Sequence, residues 1–318
     1  MNKTTRRSFL KKTALGTAAL STTSMLPITS LLKENELWGL PKISLAQWSL
    51  HRAFEKGSIK AEDFAGIAKK DFDLDAIEYV NTFYTAEAEN EVFWNQMRNK
   101  AAEEGVQSLL IMVDNEGLLG DSDSTKRKKA VENHYKWIHA AKILGCHSIR
   151  INAFGNGQRW ELHGALADGL GALAEYGAKE GIHVLIENHG LHTSDADFIL
   201  GILKRVNNPY LGTLPDFGNW CLSAEWGSTG NSDCSQIYDP VKGVSKFLPY
   251  AKGVSAKSYR FDTDGFESVV DYPALLKLVK AAGYNGYIGI EYEGSDLSEE
   301  AGIKATKALI NKVWASLD

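Results

Sequence analysis

The stretch IHVLIENHG, residues 182–190, reads as the end of a strand buried on both faces. Ile182, Val184, Leu185 and Ile186 are apolar and mostly β-branched, the composition of a strand inside a parallel sheet. Glu187, Asn188 and His189 follow with no turn between. A carboxylate at the exit of a buried strand costs free energy unless something pairs with it. Helical patterns stand on both sides, ALADGLGALAEYGAKEG before and DADFILGILKRV after. The strand is one unit of an alternation.

Outward from it, the same alternation runs from residue 43 to the end. The apolar runs are ISLAQWSL (43–50), AIEYV (76–80), QSLLIMV (107–113), HSIRINAF (147–154), HVLIEN (183–188), YLGTLPDF (210–217), GVSAKSYRF (253–261) and YIGIEY (287–292), with an amphipathic segment after each. End signals agree: Pro273 opens one helix and Gly283 closes it, and Asp296 and Ser298 precede Glu299 and Glu300. Alternating strand–helix units imply a parallel sheet, and eight units with no strand left over imply a closed (β/α)8 TIM barrel, an α/β fold. No linker interrupts residues 40–318, which read as one domain. Neither a G-x-G-x-x-G after a strand nor a G-x-x-x-x-G-K-[ST] is present, which argues against dinucleotide and nucleoside-triphosphate binding.

Residues 1–32 stand apart from this pattern. TTRRSFLKK (4–12) precedes the acid-free, Ala/Thr/Ser-rich TALGTAALSTTSMLPITS, the charged-then-apolar layout of an export signal. Arg6-Arg7 followed by Ser8-Phe9-Leu10-Lys11 resembles the twin-arginine signal, with Thr5 in place of the more usual Ser. The resemblance implies export of a folded protein through that machinery to the periplasm, a route that suits proteins loaded with a metal or cofactor beforehand. No run approaches the roughly 18 apolar residues of a spanning helix, so no stable membrane span is expected after cleavage.

Residues 1–30 carry five basic side chains and no acid, so their removal takes the formal charge from −5 to −10. An acidic chain argues against a nucleic-acid partner. The cysteines are Cys146, Cys221 and Cys234, with no C-x-x-C. An oxidising compartment would allow Cys221 and Cys234 to bridge, whereas Cys146 reads as a buried small hydrophobe. Between these two cysteines and around them runs GNWCLSAEWGSTGNSDCSQIYDP (218–240), far longer than the usual connection after a strand. Trp220 and Trp226 in it can offer ring faces to a sugar; the plainer reading is a packed flap.

Chemistry in a barrel belongs at the C-terminal ends of its strands. There the sequence places His51, Glu78, Glu187, His189, Asp216, Asn219, Ser255, Lys257, Arg260, Glu291 and Glu293. Glu187, Asp216 and Glu291 converge from three strands, and three clustered carboxylates repel unless a cation joins them. Oxygen ligands suit Mn²⁺ or Mg²⁺, so Glu187 is expected to meet a divalent metal.

With these residues in hand, residues 43–318 resemble the xylose-isomerase-like TIM-barrel family of sugar phosphate isomerases and epimerases. In that family Glu, Asp, His and Glu on strands five to eight hold one divalent metal. IEN, PDFGN and GIEYEG supply Glu187, Asp216 and Glu291. The departure is Ser255-Ala256-Lys257, where relatives read His, an apolar residue and Lys. Serine is a poorer ligand than imidazole. That leaves open a site that holds its metal more weakly, one that recruits His189 or water, or one that holds none, with Lys257 able to take the cation's place.

The resemblance implies sugar or keto-sugar isomerisation or epimerisation by proton abstraction next to a carbonyl. Glu187 and Glu291 act as acid and base, with Lys257 beside them. Expected substrate contacts are His51, Glu78, His189, Asn219, Trp220 and Arg260. The same pair serves a keto-glycoside or keto-polyol lyase, and a third reading is an exported carbohydrate-binding protein without catalysis. The apurinic-endonuclease branch needs many strand-end histidines for its zinc cluster, and this chain lacks them.

Overall fold

The computed structural model describes residues 39–230 and 233–317. The expected signal segment, residues 1–32, lies outside the described residues. Eight strands form one parallel sheet: β1 (Lys42–Ala46), β2 (Ala76–Val80), β3 (Gln107–Val113), β4 (Ser148–Ile151), β5 (His183–Glu187), β6 (Leu211–Leu214), β7 (Val254–Ser258) and β8 (Tyr287–Tyr292). Their order is β6-β5-β4-β3-β2-β1-β8-β7. Parallel bridges Thr213↔Ala251 and Asp216↔Ser255 join the two outer strands, closing the (β/α)8 barrel. Among the described residues, no helix is long and apolar enough to cross a membrane.

The strands are shorter than the apolar runs. β1 stops at Ala46, and Gln47–Leu50 form a 3-10 turn. The Gln47 amide causes the break: its oxygen accepts from the Val80 N–H at 2.9 Å and its nitrogen donates to the Tyr84 hydroxyl at 2.6 Å. β6 stops before Pro215, which has no N–H to give to a ladder.

The outer helices follow in order: α1 (His51–Glu55), α2 (Phe64–Phe72), α3 (Glu91–Glu103), α4 (Ser124–Leu144), α5 (Arg159–Glu180), α6 (Ala196–Val206), α7 (Pro240–Phe247), α8 (Tyr272–Ala281) and α9 (Glu299–Ser316). The short α1 has no counterpart in the periodicity. Caps set several starts, with Asp123, Asp195, Asp239 and Asp271 accepting backbone N–H bonds one turn on.

Strand alternation sorts the core in two. Outward residues such as Ile149, Ile151, Val184, Ile186, Ala256, Ile288 and Ile290 pack against the helices. Inward residues Ala46, Val80, Leu110, Met112, Leu185 and Leu214 make a separate apolar plug inside the barrel. Because side chains alternate, Glu187 falls on the same inner face as Leu185, and Asp216 on that of Leu214. The plug is a floor. Everything polar stands on it or beside it.

Candidate active site

Glu187 closes β5 and is 2 % exposed. Asp216 follows Pro215 at the exit of β6, and Glu291 lies near the end of β8; both are buried. Ligand oxygens of the three lie within 4.8 Å of one another. Asn188 locks the two strand ends, donating to the Asp216 carbonyl at 3.0 Å and accepting from the Asp216 N–H at 2.8 Å.

Two cations enter this cluster. The ladder pairs Lys257 with Glu291 across β7 and β8, and the ammonium lies 3.0 Å from Glu291 and 2.9 Å from Glu293. Arg150, in the middle of β4, faces inward. Its Nη1 donates to Asp114 at 2.6 Å, and its Nε lies 2.8 Å from Glu187. The expected list omitted Arg150 and Asp114.

Ser255 occupies the centre. Its hydroxyl oxygen is 2.5 Å from Asp216 Oδ2 and 2.7 Å from Glu291 Oε2. One hydroxyl has one proton to give, so in this arrangement one of the two carboxyls carries a proton. Burial favours Asp216 for it. Burial pushes its pKa to about 7 against the pull of Lys257, and Glu291 adds to the rise. Burial also pushes Glu187 well up; Arg150 opposes this, and Glu291 and Asp216 reinforce it. Glu291 meets the same burial, but Lys257, the Ser255 hydroxyl and Arg150 outweigh it and hold the carboxyl low. The two glutamates are driven apart.

His189 completes this wall. Its Nδ1 lies 2.6 Å from Asn152 Oδ1, while Asn152 Nδ2 donates to Asp114 at 2.6 Å. The Asn152 oxygen therefore accepts, His189 Nδ1 carries the proton, and Nε2 is an acceptor. Burial first, then Arg150, keeps the imidazole neutral.

The cavity above has a volume of about 370 Å³. Trp48, Val80, Asp114, Arg150, His189, Trp226, Ser228, Tyr259, Glu291 and Glu293 are among its walls. Asn219 supports it from behind, its amide 3.3 Å from Glu187 Oε1.

Four expected substrate contacts lie elsewhere. Trp220 is 0 % exposed, wedged against Tyr238 and Phe247 at centroid distances of 5.8 and 5.6 Å, and has no face for a sugar. Its loop neighbour Trp226 lines the cavity instead. Arg260 is exposed and outside the cavity wall; its backbone holds a turn through Glu267 and Ser268. His51 stacks behind Trp48 at 4.7 Å with its Nδ1 on the Trp48 carbonyl, a support rather than a wall.

Glu78 lies inside the barrel, accepting from the Ser44 hydroxyl at 2.6 Å. Gly289 faces it, and a Cβ there would sit 2.7 Å from its Oε1. Burial raises the Glu78 pKa from 4.5 to about 7, with Ser44 opposing. The native state then holds a proton that the unfolded chain releases, so stability falls as pH climbs from about 4.5 through about 7 and is flat beyond. Glu78→Gln is expected to remove that slope, adding up to about 3 kcal/mol above pH 7. Urea midpoints of both proteins at about pH 5 and 8 decide it; parallel shifts would refute the assignment.

The long loop is bolted down. Cys221 and Cys234 form a disulfide, and Cys146 is free and buried. Gly190, at φ +97°, bridges to Glu225, where a Cβ would meet the Ala224 carbonyl at 2.4 Å. Trp226 itself sits at φ +67°, a left-handed backbone rare for a bulky residue.

The profile of the xylose isomerase-like TIM barrel family matches residues 68–313. The chain belongs to that family. No curated protein matches its sequence significantly. Among solved structures, it resembles the 3-keto-D-glucoside 4-epimerase of E. coli at 14% identity, over 85% of this chain and 98% of that one, with a TM-score of 0.62. A xylose isomerase-like TIM barrel protein of Mycobacterium smegmatis, in complex with magnesium, matches at 17%, over 82% and 91%, with a TM-score of 0.59. The probable 3-DHS dehydratase of Bacillus anthracis matches at 17%, over 85% and 99%, with a TM-score of 0.61. At such identities the likeness speaks for the fold.

In this xylose isomerase-like barrel, the three carboxylates are the one group of three or more potential metal ligands among the described residues. The donor set fits a hard divalent cation. It is all oxygen, and Asp114, Glu187, Asp216, Glu291 and Glu293 outnumber Arg150 and Lys257. Glu187, Asp216 and Glu291 would hold the ion, with the Ser255 hydroxyl between two of them.

Proposed function

We propose that the protein is an exported sugar isomerase or epimerase that moves a proton on the carbon next to a carbonyl. The observation that carries this reading is the pair Glu187 and Glu291, which share one buried cluster with pKa values driven in opposite directions. That is how one site holds both an acid and a base. Glu291 as carboxylate takes the proton from the C–H bond, and the bonding electrons pass to the carbonyl oxygen, giving an enediolate. Glu187 supplies a proton from its own side. Delivery to the opposite face of the same carbon epimerises; delivery to the former carbonyl carbon, with the neighbouring hydroxyl's proton passing to the old carbonyl oxygen, isomerises.

Lys257 places a positive charge where negative charge develops, and His189 Nε2 accepts from a substrate hydroxyl. A divalent ion held by Glu187, Asp216 and Glu291 would polarise the carbonyl as a Lewis acid. The epimerase and dehydratase among similar structures agree with such chemistry. The Cys221–Cys234 bridge and Arg6-Arg7 support export.

The test is proton exchange. The protein, with and without Mn²⁺, is incubated in D₂O with neutral ketoses and keto-glycosides and followed by NMR. Loss of the C–H signal next to the carbonyl is expected. No exchange under any of these conditions would overturn the proposal.

Metal uptake has its own signature. Mn²⁺ is expected to displace the proton from Asp216, so binding tightens as pH rises through about 7. Calorimetry in two buffers of different ionisation enthalpy reads the proton release; an affinity constant between about pH 6 and 8 would contradict the ligand set. For export, thiol counting after denaturation is expected to give one free thiol per chain before reduction and three after it.

A further inference from the structure

Among the described residues, the cation in the cavity wall, Arg150, and the one buried behind it, Lys257, are both engaged. Arg150 is held between Asp114 and Glu187, and Lys257 between Glu291 and Glu293. The remaining charged walls, Asp114, Glu291 and Glu293, are acids. A phosphate or carboxylate on the substrate would meet repulsion and find no unpaired partner among the described residues of this wall. The site selects for an uncharged molecule.

The cavity is also larger than one sugar ring needs. About 370 Å³ lies in the range that drug-sized ligands fill, and a single hexose has roughly half the atoms of such a ligand. Of the reacting groups Glu291 is in its wall, with Glu187 and Lys257 buried behind, whereas Trp226 and Ser228 belong to the long loop.

Trp226 is unlike the cavity's other indole. Trp48 is stacked on His51 and on Phe83, with interplanar angles of 15° and 25°. The rings beside Trp226, His189 and Phe154, meet it near-perpendicularly, at 75° and 87°. No ring lies parallel to it among the described residues, and 43 % of the residue is open to solvent. The left-handed backbone, the Gly190↔Glu225 bridge and the disulfide hold this apolar surface in place. An exposed tryptophan fixed at the mouth of a polar cavity is a platform for an apolar ring face.

We propose that the site takes an uncharged glycoside, with the reacting sugar among Glu187, Glu291 and Lys257 and the second ring, sugar or aglycone, stacked on Trp226. The substrate class so named rests on the proton-abstraction reading for its reacting ring, but the platform is tested by binding alone. Phenyl α- and β-glucosides and galactosides are compared with glucose and galactose by saturation-transfer NMR and titration, with glucose 6-phosphate as the charged competitor.

At least one phenyl glycoside is expected to bind about tenfold more tightly than its parent sugar, equivalent to about 1.4 kcal/mol. Trp226→Ala is expected to bring that ratio close to one, and Trp226→Phe to keep most of it, with thermal melting confirming that both variants are folded. The proposal is overturned if the parent sugars bind as tightly as the glycosides, or if no glycoside binds. It is equally overturned if the preference survives Trp226→Ala, or if glucose 6-phosphate is the tightest ligand. Glycoside preference without any D₂O exchange would sink the reaction and keep the platform. Exchange on free ketoses with no glycoside advantage would do the reverse.

Discussion

Glu291→Gln is expected to lower the rate of C–H exchange by about 10²–10⁴-fold, the usual contribution of a positioned general base. The amide keeps the shape and can still pair with Ser255, but it cannot take a proton. Glu187→Gln is expected to behave differently. It removes the acid that returns a proton from the other side, so exchange into solvent persists while formation of the second epimer is lost. The asymmetry follows from electrostatics. Lys257 lies 3.0 Å from Glu291 and helps hold its pKa low, whereas burial, reinforced by two other carboxyls, pushes that of Glu187 well up against Arg150. In metal-free protein the alkaline limb of the rate profile should therefore move or vanish in Glu187→Gln. Equal loss of exchange in the two variants would show that the roles are not divided this way.

The barrel was legible because its strands are buried on both faces and separated by capped amphipathic helices. The three carboxylates were legible because each follows an apolar run at a strand exit. Arg150 was harder to see, although the same alternation predicts it. In SIRINAF the flanking isoleucines face the helices, so Arg150 and Asn152 must face inward, as Leu185 and Glu187 do. Read as an apolar run, the segment hides its one charge. Asp114 follows Leu110 and Met112 on the inner face by the same count. Trp220 and Trp226 show the opposite limit. They stand six residues apart in a loop with no period, and only tertiary packing sends one under α7 and the other over the cavity. Glu78 and His51 lie at strand ends by sequence but face the barrel interior and the back of Trp48. The Cys221–Cys234 bridge, left open by spacing alone, is formed.

Arg150→Met is expected to destabilise the protein by about 3–5 kcal/mol, the range for removing one partner of a buried ion pair. The guanidinium is 3 % exposed and serves two carboxylates from different strands, Asp114 and Glu187. Burial works to raise the Asp114 pKa, but the Arg150 charge and the hydrogen bonds from Arg150 and Asn152 outweigh it and hold the carboxyl below its ordinary range. Without the guanidinium, Asp114 becomes an uncompensated buried acid, and it can escape by taking up a proton. The deficit should therefore shrink as pH falls and grow as it rises. Combining the change with Asp114→Asn should recover part of the loss, since neighbouring sites are not additive. The metal reading adds a sharper consequence. Arg150 repels any cation bound at Glu187, so its removal should tighten Mn²⁺ binding, and a saturating ion should raise the melting temperature more in the variant than in the wild type. If Arg150 serves only as packing, the deficit will be independent of pH, and Mn²⁺ will stabilise both proteins alike. That pair of thermal-melting series, with and without the ion, separates a cluster that demands positive charge from one that is merely filled.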